Sequence, residues 1–173
     1  RDVGKLIKIM SIIGTRPEAI KMAPVLQKLE RAGELESILV ATAQHRELLD
    51  EVLNLFGLEP DYDLDVMSKK QSLTTVTIKI LQKLKEIIMQ EEPDLILVHG
   101  DTTTTFAAAV AAFYQQVKIA HIEAGLRSYD KYAPYPEEIN RKLTSGLADL
   151  HFAPTKENYD NLVSENIDPE KIF

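Results

Sequence analysis

The stretch Leu95-Ile96-Leu97-Val98-His99-Gly100-Asp101-Thr102-Thr103-Thr104-Thr105 decides how this chain is read. Four apolar residues give way abruptly to a glycine, a carboxylate and four hydroxyls, and an alanine-rich helix is expected to follow. A second apolar run over residues 117–122 ends in Glu123-Ala124-Gly125-Leu126-Arg127. Beyond a loop of prolines and tyrosines comes Pro136-Glu137-Glu138-Ile139-Asn140-Arg141. Twice, a strand that looks buried ends in a carboxylate beside a glycine. In an open parallel sheet that edge is where ligands sit.

Working outward, residues 5–13 form another apolar run without clear alternation, as in strands covered on both faces. The turn Gly14-Thr15-Arg16-Pro17-Glu18 leads into a helix reaching Ala32, with a kink or break expected at Pro24. A strand over 35–41, an amphipathic helix over 46–56 closed by Gly57, and a loop over 59–70 with room for one short strand come next. Ser72 is placed to cap a long helix with Leu73, Val76, Ile80, Leu84 and Ile87 on one stripe, and Pro93 stops it. After Arg141 the pattern continues with a helix to Ala148, a strand over 150–153 and a helix over 155–166. This β-α-β-α alternation predicts an α/β fold, a doubly wound, Rossmann-like parallel sheet with right-handed crossovers. Residues 169–173 read as the opening of a further strand, so the chain is expected to be the N-terminal domain of a longer protein.

At 173 residues the chain has the length of one domain with a real core. Its net charge of −7 argues against a nucleic-acid or anionic-membrane surface as the main function. With no cysteine there is no disulfide, thiolate nucleophile or cysteine metal site. The apolar run that includes Lys8 is too short and interrupted for a signal peptide or membrane span, so a soluble cytoplasmic protein is the expectation.

Each candidate residue has a plain reading beside a chemical one. Gly14-Thr15-Arg16-Pro17 lies between strand and helix, where backbone N–H groups favour an anion, and Arg16 and Lys21 could assist. It lacks the glycine spacing of a dinucleotide fingerprint and the lysine of a P-loop, and spacing alone leans to an ordinary turn. Asp101 is either the N-cap of the next helix or part of a site in which the threonines offer donors to a pyrophosphate or sugar. Glu123, at the end of a buried run, would be costly unpaired; Arg127 could pair with it, but an acid–base role fits better. Glu137 with Arg141, and Glu138 with Lys142, stand at i,i+4 spacing, and on spacing alone exposed pairs suffice. The four histidines show no metal-ligand spacing. Tyr129, Tyr132 and Tyr135 suit either stacking on a ligand or an interface.

Taken together, Gly14 to Pro24, Ala43-Gln44-His45-Arg46, His99 to Thr105, His121 to Arg127 and Pro136 to Arg141 closely resemble the non-hydrolysing UDP-N-acetylglucosamine 2-epimerases. The resemblance runs in order from Lys8 to the end of the chain. It implies the N-terminal half of a two-domain fold like that of the B-type glycosyltransferases, with catalysis between the domains. The C-terminal UDP-binding domain would be absent from this chain, leaving it inactive alone. The implied reaction interconverts UDP-N-acetylglucosamine and UDP-N-acetylmannosamine, precursors of cell-surface polysaccharide, by carbon-2 proton removal with loss and re-addition of UDP. No cofactor is required, and a homodimer is expected. By resemblance Asp101, Glu123 and Glu137 are the acid–base and orienting carboxylates, and Arg16, Lys21 and Arg141 contact diphosphate or sugar.

The same resemblance implies a second, allosteric substrate site using Gln44, Lys70 and Gln71. Glu47 stands where a glutamine is common and Lys70 where an arginine is common. A lysine holds phosphate as a point charge without bidentate geometry, so weaker substrate activation is expected. Competing readings are a glycosyltransferase or hydrolysing relative on the same fold, and a non-catalytic binding module.

Overall fold

The computed structural model describes residues 6–42, 46–66 and 71–173. Six strands, β1 (Ile7–Ile13), β2 (Leu35–Ala41), β3 (Tyr62–Asp63), β4 (Leu95–His99), β5 (Lys118–Ile122) and β6 (Leu150–Phe152), form one sheet in the order β3-β2-β1-β4-β5-β6. Every neighbouring pair is parallel. This is the doubly wound order, whose switch point falls between β1 and β4.

The absence of alternation in β1 follows from burial on both faces. Met10 and Ile12 point into one core with Val76, Ile80 and Leu84 of α3 (Leu73–Glu91) and the alanines of α4 (Thr103–Tyr114). Ile9 and Ile13 point the other way, toward Ala19, Met22 and Leu26 of α1 (Arg16–Glu30) and Leu49 and Leu53 of α2 (Arg46–Phe56). Small alanines bring α4 close to both the sheet and α3. Helix α5 (Glu137–Leu147) packs beside α4, and α6 (Lys156–Ser164) closes a small third cluster of Ala124, Leu162 and Ile172.

Of the kink or break expected at Pro24, the break does not occur: α1 continues as α-helix to Glu30. Pro24 and Ile20, whose carbonyl loses its N–H partner, lie on the exposed side, where water can take over that bond. Residues 169–173 begin with a 3₁₀ turn at Pro169–Lys171, after which Ile172 forms a parallel bridge to His151. Among the described residues no helix is long and apolar enough to cross a membrane.

Candidate active site

Parallel strands deliver their C-terminal ends to one edge, and the site forms there. A cavity of about 360 Å³ opens between the N-terminus of α1 and the ends of β4 and β5, lined by Glu18, Lys21, His99, Asp101, Thr102 and Glu123. Gly14 is required at the end of β1. A Cβ there would lie 2.5 Å from Thr104 Oγ1 and 2.7 Å from Thr42 Oγ1, so a side chain would separate α4 from the sheet.

Glu123 carries the strongest local signal. Its φ of 62° places a non-glycine residue in the left-handed region at the end of a strand, a strained conformation that recurs at functional sites. Lys21 Nζ donates to both its oxygens, at 2.8 and 2.6 Å, and His99 Nε2 lies 3.2 Å from Oε2. Burial, helped by the nearby Lys21 charge and opposed by Glu123, holds the His99 imidazole below its ordinary pKa.

Asp101 follows β4 through Gly100. Its Oδ2 lies 3.4 Å from Arg141 Nη1, and its main-chain oxygen accepts a hydrogen bond of 3.0 Å from Asn140 Nδ2. Burial pushes the Asp101 carboxyl up, the Arg141 guanidinium opposes this, and the charges of Glu137 and Glu123 reinforce it. Glu137, the first residue of α5, therefore acts electrostatically on Asp101. Arg141, 4 % exposed, also lies 3.0 Å from Glu138 Oε2 through Nε, close enough to pair charges without a well-aligned hydrogen bond.

Lys21, Asp101, Glu123, Glu137 and Arg141 are thus brought to one edge. Arg16 stands apart, exposed at the start of α1, on a neighbouring groove with Lys21, Val52 and Leu55. Gln71 is half-buried just before the Ser72 cap of α3; Gln44 and Lys70 lie outside the described residues.

Four plain readings are corrected. Asp101 is not the helix cap: Thr102 is, accepting the Thr105 N–H, which leaves the Asp101 side chain for Arg141. Arg127 does not pair with Glu123 but grips Glu165 through two bonds of 2.8 and 2.7 Å. Arg141 turns to Glu138 and Asp101 instead of forming an exposed pair with Glu137. Glu138 is buried, accepting the Ser128 and Tyr129 N–H groups at 3.0 Å each, while Lys142 lies over the Tyr129 ring. Burial works to raise the Glu138 pKa, but these donors and Arg141 outweigh it and hold the carboxyl low. The anion reading of the Gly14 turn changes as well, because the Gly14 and Thr15 N–H groups donate to Glu18 Oε2, at 2.5 and 2.7 Å.

Sequence reasoning missed Glu18 as a partner of the site. The signal was present, since Thr15 followed three residues later by glutamate is a capping box, and the box forms. Its second oxygen lies 2.6 Å from Thr102 Oγ1, a contact across 84 residues that no local pattern reveals. His121 was passed over too; its Nε2 lies 2.7 Å from the Gly100 oxygen and fixes the turn before Asp101.

A doubly wound α/β domain with clustered carboxylates and cations at its switch edge has the make-up of a ligand-binding domain. The family model described as UDP-N-acetylglucosamine 2-epimerase matches residues 27–173. The chain belongs to the UDP-N-acetylglucosamine 2-epimerase family. It is 51% identical over 169 residues to the UDP-N-acetylglucosamine 2-epimerase of Bacillus subtilis, covering 98% of this chain and 44% of that protein. A crystal structure of the Neisseria meningitidis enzyme bound to UDP-GlcNAc superposes with a TM-score of 0.94 at 52% identity, covering 96% of this chain and 45% of that one. The chain thus spans under half the length of the relatives it matches. In fold alone it also resembles a lipopolysaccharide outer core galactosyltransferase, with a TM-score of 0.68 at 13% identity over 96% of this chain and 44% of that one.

Proposed function

We propose that this chain is the N-terminal domain of a non-hydrolysing UDP-N-acetylglucosamine 2-epimerase, followed in the whole protein by a C-terminal domain that grips UDP. The observation that carries the reading is the cavity where Lys21-paired Glu123 and Arg141-paired Asp101 line one edge. In the first half-reaction a carboxylate takes the carbon-2 proton. The C–H electron pair becomes the C1–C2 double bond, and the C1–O bond breaks with its pair leaving on UDP. In the second, a UDP oxygen returns to C1 while carbon 2 accepts a proton on the other face. Elimination and re-addition leave the sugar's oxidation state unchanged, so no redox cofactor enters the balance.

Asp101, Glu123 and Glu137 supply the base, the acid and the orientation of the sugar. Lys21, Arg16 and Arg141 offset the charge developing on the departing diphosphate. The raised Asp101 carboxyl supports a proton-carrying role. Exposed Ile78, Met89, Phe113 and Tyr114 on α3 and α4 support a homodimer through that face. The family reaction further suggests a cytoplasmic enzyme feeding cell-surface polysaccharide. Product analysis with the full-length protein tests the reading: UDP-N-acetylmannosamine is expected, whereas free sugar plus UDP would indicate a hydrolysing relative.

A further inference from the structure

The left-handed backbone of Glu123, φ 62°, is costly for a non-glycine residue and survives only where its surroundings hold it. The hold comes from the residues just after it. The Ala124 N–H donates to the Phe152 carbonyl at 3.0 Å, tying the end of β5 to β6. Gly125, itself at φ 89°, lies so close to α6 that a Cβ would come within 2.2 Å of the Asn158 main-chain oxygen. Its carbonyl accepts a hydrogen bond of 3.0 Å from Asn161 Nδ2. That carbonyl can only accept, so the amide nitrogen must face it, and Asn161 Oδ1 accepts the Tyr129 hydroxyl at 2.6 Å. Arg127, its side chain fully buried, closes the same loop onto Glu165. Asn158, Asn161 and Glu165, spaced by three and four residues, thus turn one side of α6 to the loop that follows Glu123.

We propose that Asn161 is a positioning residue for Glu123: its amide clamps the Gly125 carbonyl and so holds the left-handed turn that aims the Glu123 carboxylate at Lys21. The proposal rests on the role given to Glu123 above. Asn161 does not line the cavity, so it reaches the site only through the backbone between Glu123 and Gly125. Without the clamp Glu123 relaxes toward negative φ. Its side chain then swings away from Lys21 Nζ and His99 Nε2, both of which it now meets.

Turnover in the full-length enzyme tests this through a double-mutant cycle with Glu123→Gln. Asn161→Ala should lower kcat about a hundredfold, the scale of a small misplacement of a reacting group. In the Glu123→Gln background the same change should add no more than about a twofold loss, because the group it positions is already gone. Asn161→Asp keeps the side chain's size and its Tyr129 bond but sets an oxygen against the Gly125 carbonyl. It should match alanine, and it replaces alanine in the cycle should that variant not fold. The His99 imidazole reads the geometry itself. Glu123 raises its pKa, so the Asn161 variants should move its nitrogen-15 titration down, as Glu123→Gln does. Near-normal kcat, losses that multiply in the double variant, or a His99 titration that stays in place would each overturn the proposal. A wild-type enzyme without epimerase activity would overturn the function above, and the His99 titration would then decide the positioning by itself.

Discussion

Lys21 and Glu123, 102 residues apart in sequence, meet through two hydrogen bonds of 2.8 and 2.6 Å across the cavity. The cation comes from the first crossover helix and the carboxylate from the end of β5, so the contact exists only when the sheet is assembled. It sets a cation and a carboxylate side by side at the cavity.

Each carboxylate of the site should be needed for turnover. In the full-length enzyme, Asp101→Asn, Glu123→Gln and Glu137→Gln are expected to lower kcat about a hundred- to ten-thousand-fold, the usual contribution of a general acid or base. Circular dichroism should show the fold retained. Near-normal kcat in any one variant would remove that residue from the acid–base set.

His99 should report the charges around Glu123. Lys21 lowers its pKa and Glu123 raises it, beneath the larger effect of burial. Lys21→Met should therefore move the His99 titration up and Glu123→Gln should move it down. Nitrogen-15 NMR of the imidazole reads this directly; a His99 titration that ignores both changes would contradict the arrangement.

Glu138 should matter far more to stability than its surface neighbours. Glu138→Ala leaves the buried Arg141 with Asp101 alone and two N–H groups without their acceptor, at a cost of about 3 kcal/mol in urea unfolding. Asp160→Asn breaks an exposed pair with Lys156 and should cost no more than about 0.5 kcal/mol. Similar losses in the two variants would show that the Glu138 network is not holding the loop.

Stability should fall as pH falls below about 6.5. Burial depresses His121 from 6.5 to about 3, so between these values the unfolded chain takes up a proton that the folded one refuses. That contribution is absent above the unfolded pKa and grows by about 1.4 kcal/mol per pH unit below it. His99 and His151, also lowered chiefly by burial, act in the same direction. His121→Gln should reduce the stability lost between pH 7 and pH 5 by about 2 kcal/mol in urea unfolding. An unchanged loss would mean that His121 does not refuse its proton.

Much of the fold was legible because its signals are local. Strand β2 and helix α2 fall where an apolar run and an amphipathic stripe closed by Gly57 place them. Pro24 does not break α1 because its cost depends on exposure, which only packing decides. The strand-end carboxylates Asp101 and Glu123 were legible because parallel strands must bring their ends together. Their partners were not, since Lys21 and Arg141 reach them across long separations in sequence. Spacing suggested an exposed Glu138, yet the folded loop at Ser128 and Tyr129 buries it.

The central claim is that carbon 2 of the sugar exchanges its proton with a carboxylate that equilibrates with solvent. Incubating the full-length protein with UDP-N-acetylglucosamine in heavy water and following carbon 2 by NMR tests it most directly. Deuterium is predicted at carbon 2 of the UDP-N-acetylmannosamine formed and of the UDP-N-acetylglucosamine recovered, with Glu123→Gln slowing its appearance. Epimerised product that retains its original hydrogen at carbon 2 would contradict the account.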